Sequence, residues 1–318
     1  MIGRELKLIS GNANKGLANE VAGALGVELC PTAVDQFNDG ETRVRIRETV
    51  RGADVFVIQP TCPPVNENLM ELLIIIDALR RASARTVIAV IPYYGYGRQD
   101  RKHTGRVPIT ARLVANLIET AGADRVLTID LHVGQIQGFF NIPVDNLRSD
   151  PVFMPRLRKV SEGVNSTVIV SPDVGATARA RLLAEQLDFP LAVLEKRRDP
   201  EGTDTKVMNV IGDVSGHRVV LVDDIVASGS SLIRATQTLL ECGATEVRAC
   251  CTHGVFSGNA LERLEASPLK MIAVTNTIFD QQATKSNKVE YISVGKPLAQ
   301  TIKRIYDNRS VSHLFPHY

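Results

Sequence analysis

Short, predominantly apolar runs alternate along this chain with longer stretches whose apolar residues fall three and four positions apart. The strand candidates are Leu6–Ile9, Val55–Gln59, Thr86–Ile91, Arg125–Ile129, Thr167–Val170, Leu191–Leu194, Val219–Asp223, Val247–Cys251 and Met271–Val274. The helix candidates are Asn66–Ala84, Pro108–Thr120, Ala178–Leu187, Ser231–Cys242 and Ala260–Ala266. A strand without polar alternation is buried on both faces, and strands separated by helices pair in parallel through crossovers. The pattern therefore predicts an α/β fold with mostly parallel sheets flanked by helices.

The alternation restarts after a turn-rich segment, Asn146–Pro155. Each half contains an apolar strand running into an acidic or His-bearing loop, Leu127–His132 in the first and Val220–Asp224 in the second. This predicts two domains of related topology, 1–147 and 148–318, with the final helix, about 296–318, packing back on the first domain. The formal charge is +2 and no block of like charges forms a basic arm, so nothing argues for nucleic acid and any phosphate contact must be local. Met1–Ser10 lacks a signal-peptide pattern. The apolar run Leu72–Ala78 is broken by Asp77 and followed by Arg80 and Arg81, so no membrane partner is expected. The five cysteines have no metal-type spacing and are expected to be reduced and mostly core-filling, which fits a cytoplasmic enzyme.

The strand Val219–Val222 ends in Asp223 and Asp224. Ala227, Ser228, Gly229, Ser230 and Ser231 follow, and then an amphipathic helix from Leu232. Ligands collect at the carboxyl ends of parallel strands, small residues let backbone amides approach a phosphate, and a helix amino terminus adds donors. The two carboxylates suit sugar hydroxyls or a hydrated magnesium ion. The same residues also read as a solvated acidic turn before a Ser-capped helix, or as the phosphoacceptor loop of a receiver domain.

Two aspartates ahead of a Ser/Gly loop resemble the phosphoribosyl-binding signature of phosphoribosyltransferases and ribose-phosphate pyrophosphokinases. Further segments resemble motifs of the pyrophosphokinases alone: Phe37–Glu41, Thr61–Asn66, Arg98–Arg101, Asp130–His132, Gln135–Phe140, Ser171–Gly175, Lys196–Arg198, Thr252–Gly258 and Ser310–Ser312. They stand in that family's order and span nearly the whole chain. The chain thus resembles a phosphate-activated ribose-phosphate pyrophosphokinase. The resemblance implies two domains of phosphoribosyltransferase-like topology. It also implies transfer of the β,γ-diphosphoryl group of magnesium–ATP to the 1-hydroxyl of ribose 5-phosphate, with AMP leaving, for nucleotide biosynthesis.

By the same resemblance Phe37, Asp39, Gly40 and Glu41 reach the ATP site of a neighbouring subunit, where the ring stacks on adenine. Locally the segment reads as a hairpin turn around Asp39-Gly40. Arg98 and Gln99, after the flexible Tyr93–Gly97, contact ATP. His132 and Asp173 contact magnesium–ATP, although a hard cation prefers oxygen. Lys196 and Arg198, in a charged loop that reads as solvated, offset charge on the migrating diphosphate and are the catalytic candidates. Arg198, Asp223, Asp224 and Ala227–Ser231 hold ribose 5-phosphate. Ser310 and Ser312, with Thr49, Arg51 and Arg106, form an allosteric anion site that inorganic phosphate opens and ADP blocks. The family suggests homodimers assembling to a hexamer.

Two departures stand out. A DDxxDTxGT-like loop has a third aspartate where this chain has Ala227, a change worth on the order of 1–3 kcal/mol if one charged hydrogen bond is lost. The Pro-Lys-Ala-Asn stretch usual in the Asp199–Lys206 loop is absent. Both feed a second reading, a catalytically weak paralogue that regulates active subunits in a hetero-oligomer. A simple phosphoribosyltransferase comes third, because it leaves Phe37–Glu41 and Arg98–Gln99 without a role.

Overall fold

The computed structural model describes residues 5–161, 166–197 and 207–314. The chain divides into two compact units, Met1–Arg148 with Ser293–Tyr318, and Ser149–Ile292. The first unit contains β1 (Leu6–Ser10), α1 (Lys15–Leu25), β2 (Thr32–Gln36), β3 (Thr42–Ile46), β4 (Asp54–Ile58), α2 (Val65–Arg81), β5 (Thr86–Ile91), α3 (Thr110–Ala121), β6 (Arg125–Ile129) and β7 (Val144–Leu147). The second contains α4 (Asp150–Ser161), β8 (Thr167–Ser171), α5 (Thr177–Leu187), β9 (Leu191–Arg197), β10 (Val207–Ile211), β11 (Arg218–Val226), α6 (Ser230–Glu241), β12 (Glu246–Gly254), α7 (Ala260–Ala266), β13 (Met271–Thr275) and β14 (Val289–Ile292). The chain then returns to the first unit with α8 (Gly295–Tyr306).

In the first unit β1, β4, β5, β6 and β7 lie side by side in that order, all parallel, and β2 pairs with β3 as a separate antiparallel hairpin. Alternate residues of each strand meet the helices. Val55 and Val57 of β4 and Val87, Ala89 and Ile91 of β5 share one core with Leu72, Ile75, Ile76 and Leu79 of α2 and Val114 and Ile118 of α3. Each of these buried Val, Leu and Ile side chains contributes about 1.5–3 kcal/mol relative to exposure. α8 packs on α1, and its Leu298 and Ile302 are fully buried.

The second sheet runs β10-β9-β8-β11-β12-β13-β14, parallel except for β10 against β9. From β8 the chain moves outward to β9 and then crosses back to β11 on the other side. The strand order therefore reverses between β8 and β11, and a crevice opens beyond their carboxyl ends. Two parallel sheets flanked by helices are what the alternation of apolar runs predicts.

The segment Asn146–Pro155 contains the division between the two units, at Arg148 and Ser149, but it is not turn-rich, because it holds the end of β7 and the first half of α4. Pro151 is the second residue of α4, where its fixed φ suits a helix and its missing N–H has no intrahelical partner to lose. The Ser149 carbonyl accepts the Val152 and Phe153 N–H groups at 3.0 and 3.4 Å, and buried Phe153 and Leu157 give the stretch a helical face. Cys30, Cys62, Cys250 and Cys251 are buried, and burial pushes the Cys250 thiol up to about 12; Cys242 is exposed. Among the described residues no helix is long and apolar enough to cross a membrane.

Candidate active site

The second unit gathers most of the predicted sugar-phosphate residues at its strand reversal. β11 pairs with β8 only as far as Leu221 with Val170, but with β12 through Val226 and Gly254. Asp223 and Asp224 therefore lie inside the strand rather than after it, and beyond Leu221 they line the edge of the crevice. Consecutive strand residues point to opposite faces, so the two carboxylates diverge. Asp223 lines a small cavity with Asp150, Arg179 and Thr252, and its carboxylate accepts the Asp224 N–H at 2.9 Å. Burial pushes the Asp223 carboxyl up to about 7; the neighbouring Asp224 reinforces the shift and Asp173 adds to it. Asp173 follows β8, on the other side of the reversal. Its Oδ1 accepts the Ala176 N–H at 3.0 Å, and its carbonyl accepts the Ser171 and Thr177 hydroxyls at 2.6 and 3.3 Å, fixing the turn into α5.

Between β11 and α6 the chain turns through Ala227, Ser228 and Gly229. Gly229 has φ +71°, in the left-handed region where an L side chain is strained, and a Cβ there would be in ordinary contact with Leu264 at 3.4 Å. The N-cap Gly229 offers α6 no side chain and Ser228 Oγ accepts only the Ser230 N–H, at 3.5 Å, so the other leading N–H groups and the hydroxyls of Ser228, Ser230 and Ser231 are grouped where an anion is favourable. Ser228 Oγ and Ser230 Oγ are 3.1 Å apart. Arg263 of α7 donates to the Ser228 carbonyl at 3.2 Å and to Ser230 Oγ at 2.9 Å. No local signal marks Arg263 in the sequence, where it is one more charged residue on a short amphipathic helix. Lys196 lies in β9, and Arg198 lies outside the described residues, as does most of the charged loop that follows.

In the first unit the turn between β2 and β3 is the hairpin loop that Asp39-Gly40 predicts. Phe37 N–H donates to the Glu41 carbonyl at 2.9 Å, and Gly40 sits at φ +92°. The Phe37 ring is half exposed, with the Arg43 guanidinium 5.0 Å from its centroid and held bidentately by Asp35 at 2.7 and 3.0 Å. The segment Tyr93–Gly97, read as flexible, is instead pinned. Tyr93, Tyr94 and Gly95 are buried, Tyr94 Oη donates to the Ala111 carbonyl at 2.9 Å, and Gly95 N–H donates to Thr61 Oγ1 at 2.7 Å. A Cβ at Gly95 would lie 2.3 Å from the Thr61 carbonyl, so this glycine serves close backbone approach rather than mobility. Arg98 and Gln99 emerge exposed from this anchored turn, and the Gln99 amide oxygen accepts the Thr110 hydroxyl. His132 is also exposed and follows Asp130, which takes φ +45°.

The allosteric candidates Thr49, Arg51, Arg106, Ser310 and Ser312 are all exposed. Ser310 Oγ and Ser312 Oγ lie 2.6 Å apart, and Arg304 donates to the Ser310 carbonyl at 2.9 Å. Among the described residues no hydrogen bond or ion pair joins Thr49, Arg51 or Arg106 to that pair.

Comparison with known proteins returns a consistent set. Residues 6–122 match a family model described as the N-terminal domain of ribose phosphate pyrophosphokinase, and residues 200–316 match the phosphoribosyl synthetase-associated domain. The ribose-phosphate pyrophosphokinase of Thermotoga maritima is 54% identical over 312 residues, 98% of either chain. That of Caldanaerobacter subterraneus is 53% identical over 310 residues, again 98% of each. The crystal structure of phosphoribosylpyrophosphate synthetase from Mycobacterium smegmatis superposes with a TM-score of 0.90 at 40% identity, covering 96% of this chain and 100% of that one.

Proposed function

The chain belongs to the ribose-phosphate pyrophosphokinase family, and from that premise we infer how its residues divide the work of making 5-phosphoribosyl 1-diphosphate and AMP from ribose 5-phosphate and ATP. One observation carries the assignment. The reversal between β8 and β11 brings two carboxylate-bearing strand ends and an uncapped, hydroxyl-rich helix start to one crevice.

Ser228–Ser231 and the first N–H groups of α6 hold the 5-phosphate, and Asp223 and Asp224 take the ribose hydroxyls. This fixes the 1-hydroxyl for attack on the β-phosphorus, so positioning supplies much of the rate. Arg98 and Gln99 bind ATP from a turn that Thr61 holds rigid, and Phe37 with Asp39 and Glu41 closes over the adenine of a neighbouring subunit. Lys196 and Arg198 offset charge on the diphosphate as it moves.

Magnesium fits this donor set. Among the described residues no three His, Cys, Asp or Glu side chains are grouped to hold a metal alone, and magnesium characteristically relies on one or two carboxylates together with water and substrate phosphate. Asp173 of the second unit would hold it, and the bound ion would neutralise the diphosphate and polarise the β-phosphorus; in the first unit His132 is the residue proposed to contact magnesium–ATP. A carboxyl that burial, reinforced by Asp224 and Asp173, drives toward the protonated form is a setting in which a cation is favourable.

Phosphate activation through Ser310 and Ser312, a homodimer-based hexamer and a cytoplasmic location complete the reading. The regulatory-paralogue alternative is not favoured, since relatives at about half identity over almost the full chain are named as the enzyme. The purified chain, alone with ATP, magnesium, inorganic phosphate and ribose 5-phosphate, is expected to release AMP and phosphoribosyl diphosphate in equal amounts by phosphorus NMR. No AMP from the folded protein would overturn the assignment.

A further inference from the structure

The turn that opens α6 does not hold its own shape. Its carbonyls are tied to the segment after β12: Val226 O accepts the Val255 and Phe256 N–H groups at 2.9 and 3.2 Å, and Ala227 O accepts the Ser257 N–H at 3.1 Å. Leu264 of α7 lies against Gly229, and the adjacent Arg263 reaches over the turn, its Nη1 shared between Ser228 O and Ser230 Oγ. Among the described residues no carboxylate pairs with this guanidinium, and position 227, beside it in the turn, carries alanine rather than an acid.

We propose that Arg263 is the positioning residue of the 5-phosphate cradle, an inference that rests on reading Ala227–Ser231 as that cradle. Two effects follow from its geometry. By donating to Ser230 Oγ it occupies an acceptor site of that hydroxyl, so the hydroxyl proton turns outward, to Ser228 Oγ or to a phosphate oxygen. By gripping Ser228 O it holds the left-handed turn at Gly229 that aims the α6 N–H groups at the anion. Its charge, which no carboxylate among the described residues pairs with, also favours a dianionic ester over a neutral sugar.

The test uses the full-length protein with magnesium, ATP and phosphate. Arg263→Ala is expected to raise KM for ribose 5-phosphate roughly 10- to 100-fold while KM for ATP stays within about twofold, the range set by losing one charge-assisted hydrogen bond. Arg263→Lys, which keeps one donor, is expected to recover part of the loss, and millimolar guanidinium is expected to recover part of it in the alanine variant. Inhibition by ribose, which has no phosphate, should be unaffected. A wild-type KM for ribose 5-phosphate in Arg263→Ala overturns the proposal, as does an equal rise in both KM values with no lysine rescue, the mark of a merely structural role. If the alanine variant does not fold, Arg263→Lys decides: an unchanged KM for ribose 5-phosphate overturns the proposal and a selective rise supports it. The underlying reading is tested separately by the double variant Ser228→Ala, Ser231→Ala. If its KM for ribose 5-phosphate is unchanged, the cradle itself is misassigned, whatever Arg263 does.

Discussion

The two sheets are built from the same parts and spend their polar residues differently. In the first, strand order follows sequence order from β1 to β7, so no reversal opens a crevice within the sheet. Polar groups at its strand ends turn inward. Glu71 of α2, only 9% exposed, accepts Asn12 N–H and Nδ2 at 3.0 and 2.6 Å and Gln59 Nε2 at 2.9 Å, while Asn12 also donates to Val34 O in β2. In the second sheet the order reverses at β8 and β11, and Asp223 there is raised to about 7 by burial, with Asp224 and Asp173 adding to the shift. The first region ties the buried Glu71 carboxylate to three donors, although Thr128 Oγ1 in β6 is buried without a partner. The other leaves charge in tension and is made to bind. A parallel sheet flanked by helices does not by itself make such a crevice; the reversal of strand order does.

The sharpest way to break this contrast is Asp223→Asn. It should lower kcat/KM for ribose 5-phosphate about 100-fold, ~3 kcal/mol of lost charge-assisted hydrogen bonding. It should also leave the melting temperature at pH 8 unchanged or higher, because the native fold there holds a carboxylate it disfavours. A variant that loses activity and stability together would place Asp223 among the structural residues. Glu71→Ala tests the opposite half. It strands three donors that Glu71 satisfies, so the first unit should lose about 2–4 kcal/mol, read from the urea midpoint. KM for ribose 5-phosphate in the folded enzyme should stay within about twofold. Gly95→Ala is milder. The added Cβ meets Thr61 O and costs about 1–3 kcal/mol as the turn shifts. KM for ATP should rise, since Arg98 and Gln99 leave from that turn, while KM for ribose 5-phosphate should not.

Central strands were legible because burial on both faces writes them as unbroken apolar runs, as in Thr86–Ile91 and Arg125–Ile129, whose observed bounds match the expected ones. The hairpin strands β2 and β3 and the outer strands β7, β10 and β14 were not among the candidates. Those of β2, β3 and β14 show why: they are half exposed and mix polar with apolar residues. α1 hides behind glycines, and its start is fixed by Asn14 Oδ1 accepting the Leu17 N–H at 3.0 Å. In the site, the Asp223–Ser231 signature was readable because its chemistry is contiguous in sequence. Arg263 was not, because its partners Ser228 and Ser230 are brought to it only by the β11–β12 pairing. Gly95 was readable as a glycine but not as a contact, since Thr61 reaches it from another loop.

The smallest effect is the most specific to the second sheet. Asp223 sits near 7 in the folded chain and near the ordinary value of about 3.9 when unfolded. The folded state thus binds the extra proton, and its contribution to stability is full below about 3.9 and lost as pH rises through about 7, opposite to a salt-bridged carboxylate. Ribose hydroxyls favour the ionised form, so KM for ribose 5-phosphate should fall about tenfold from pH 6 to pH 8 as the ionised fraction rises across a pKa near 7. The ester phosphate ionises near 6 as well, which alone would give a slope. Asp223→Asn separates the two, because it keeps the ligand's titration and removes the protein's. A pH profile with the same steepness in that variant would mean that only the sugar phosphate titrates, and that the crowded carboxylates of the reversal do not govern binding.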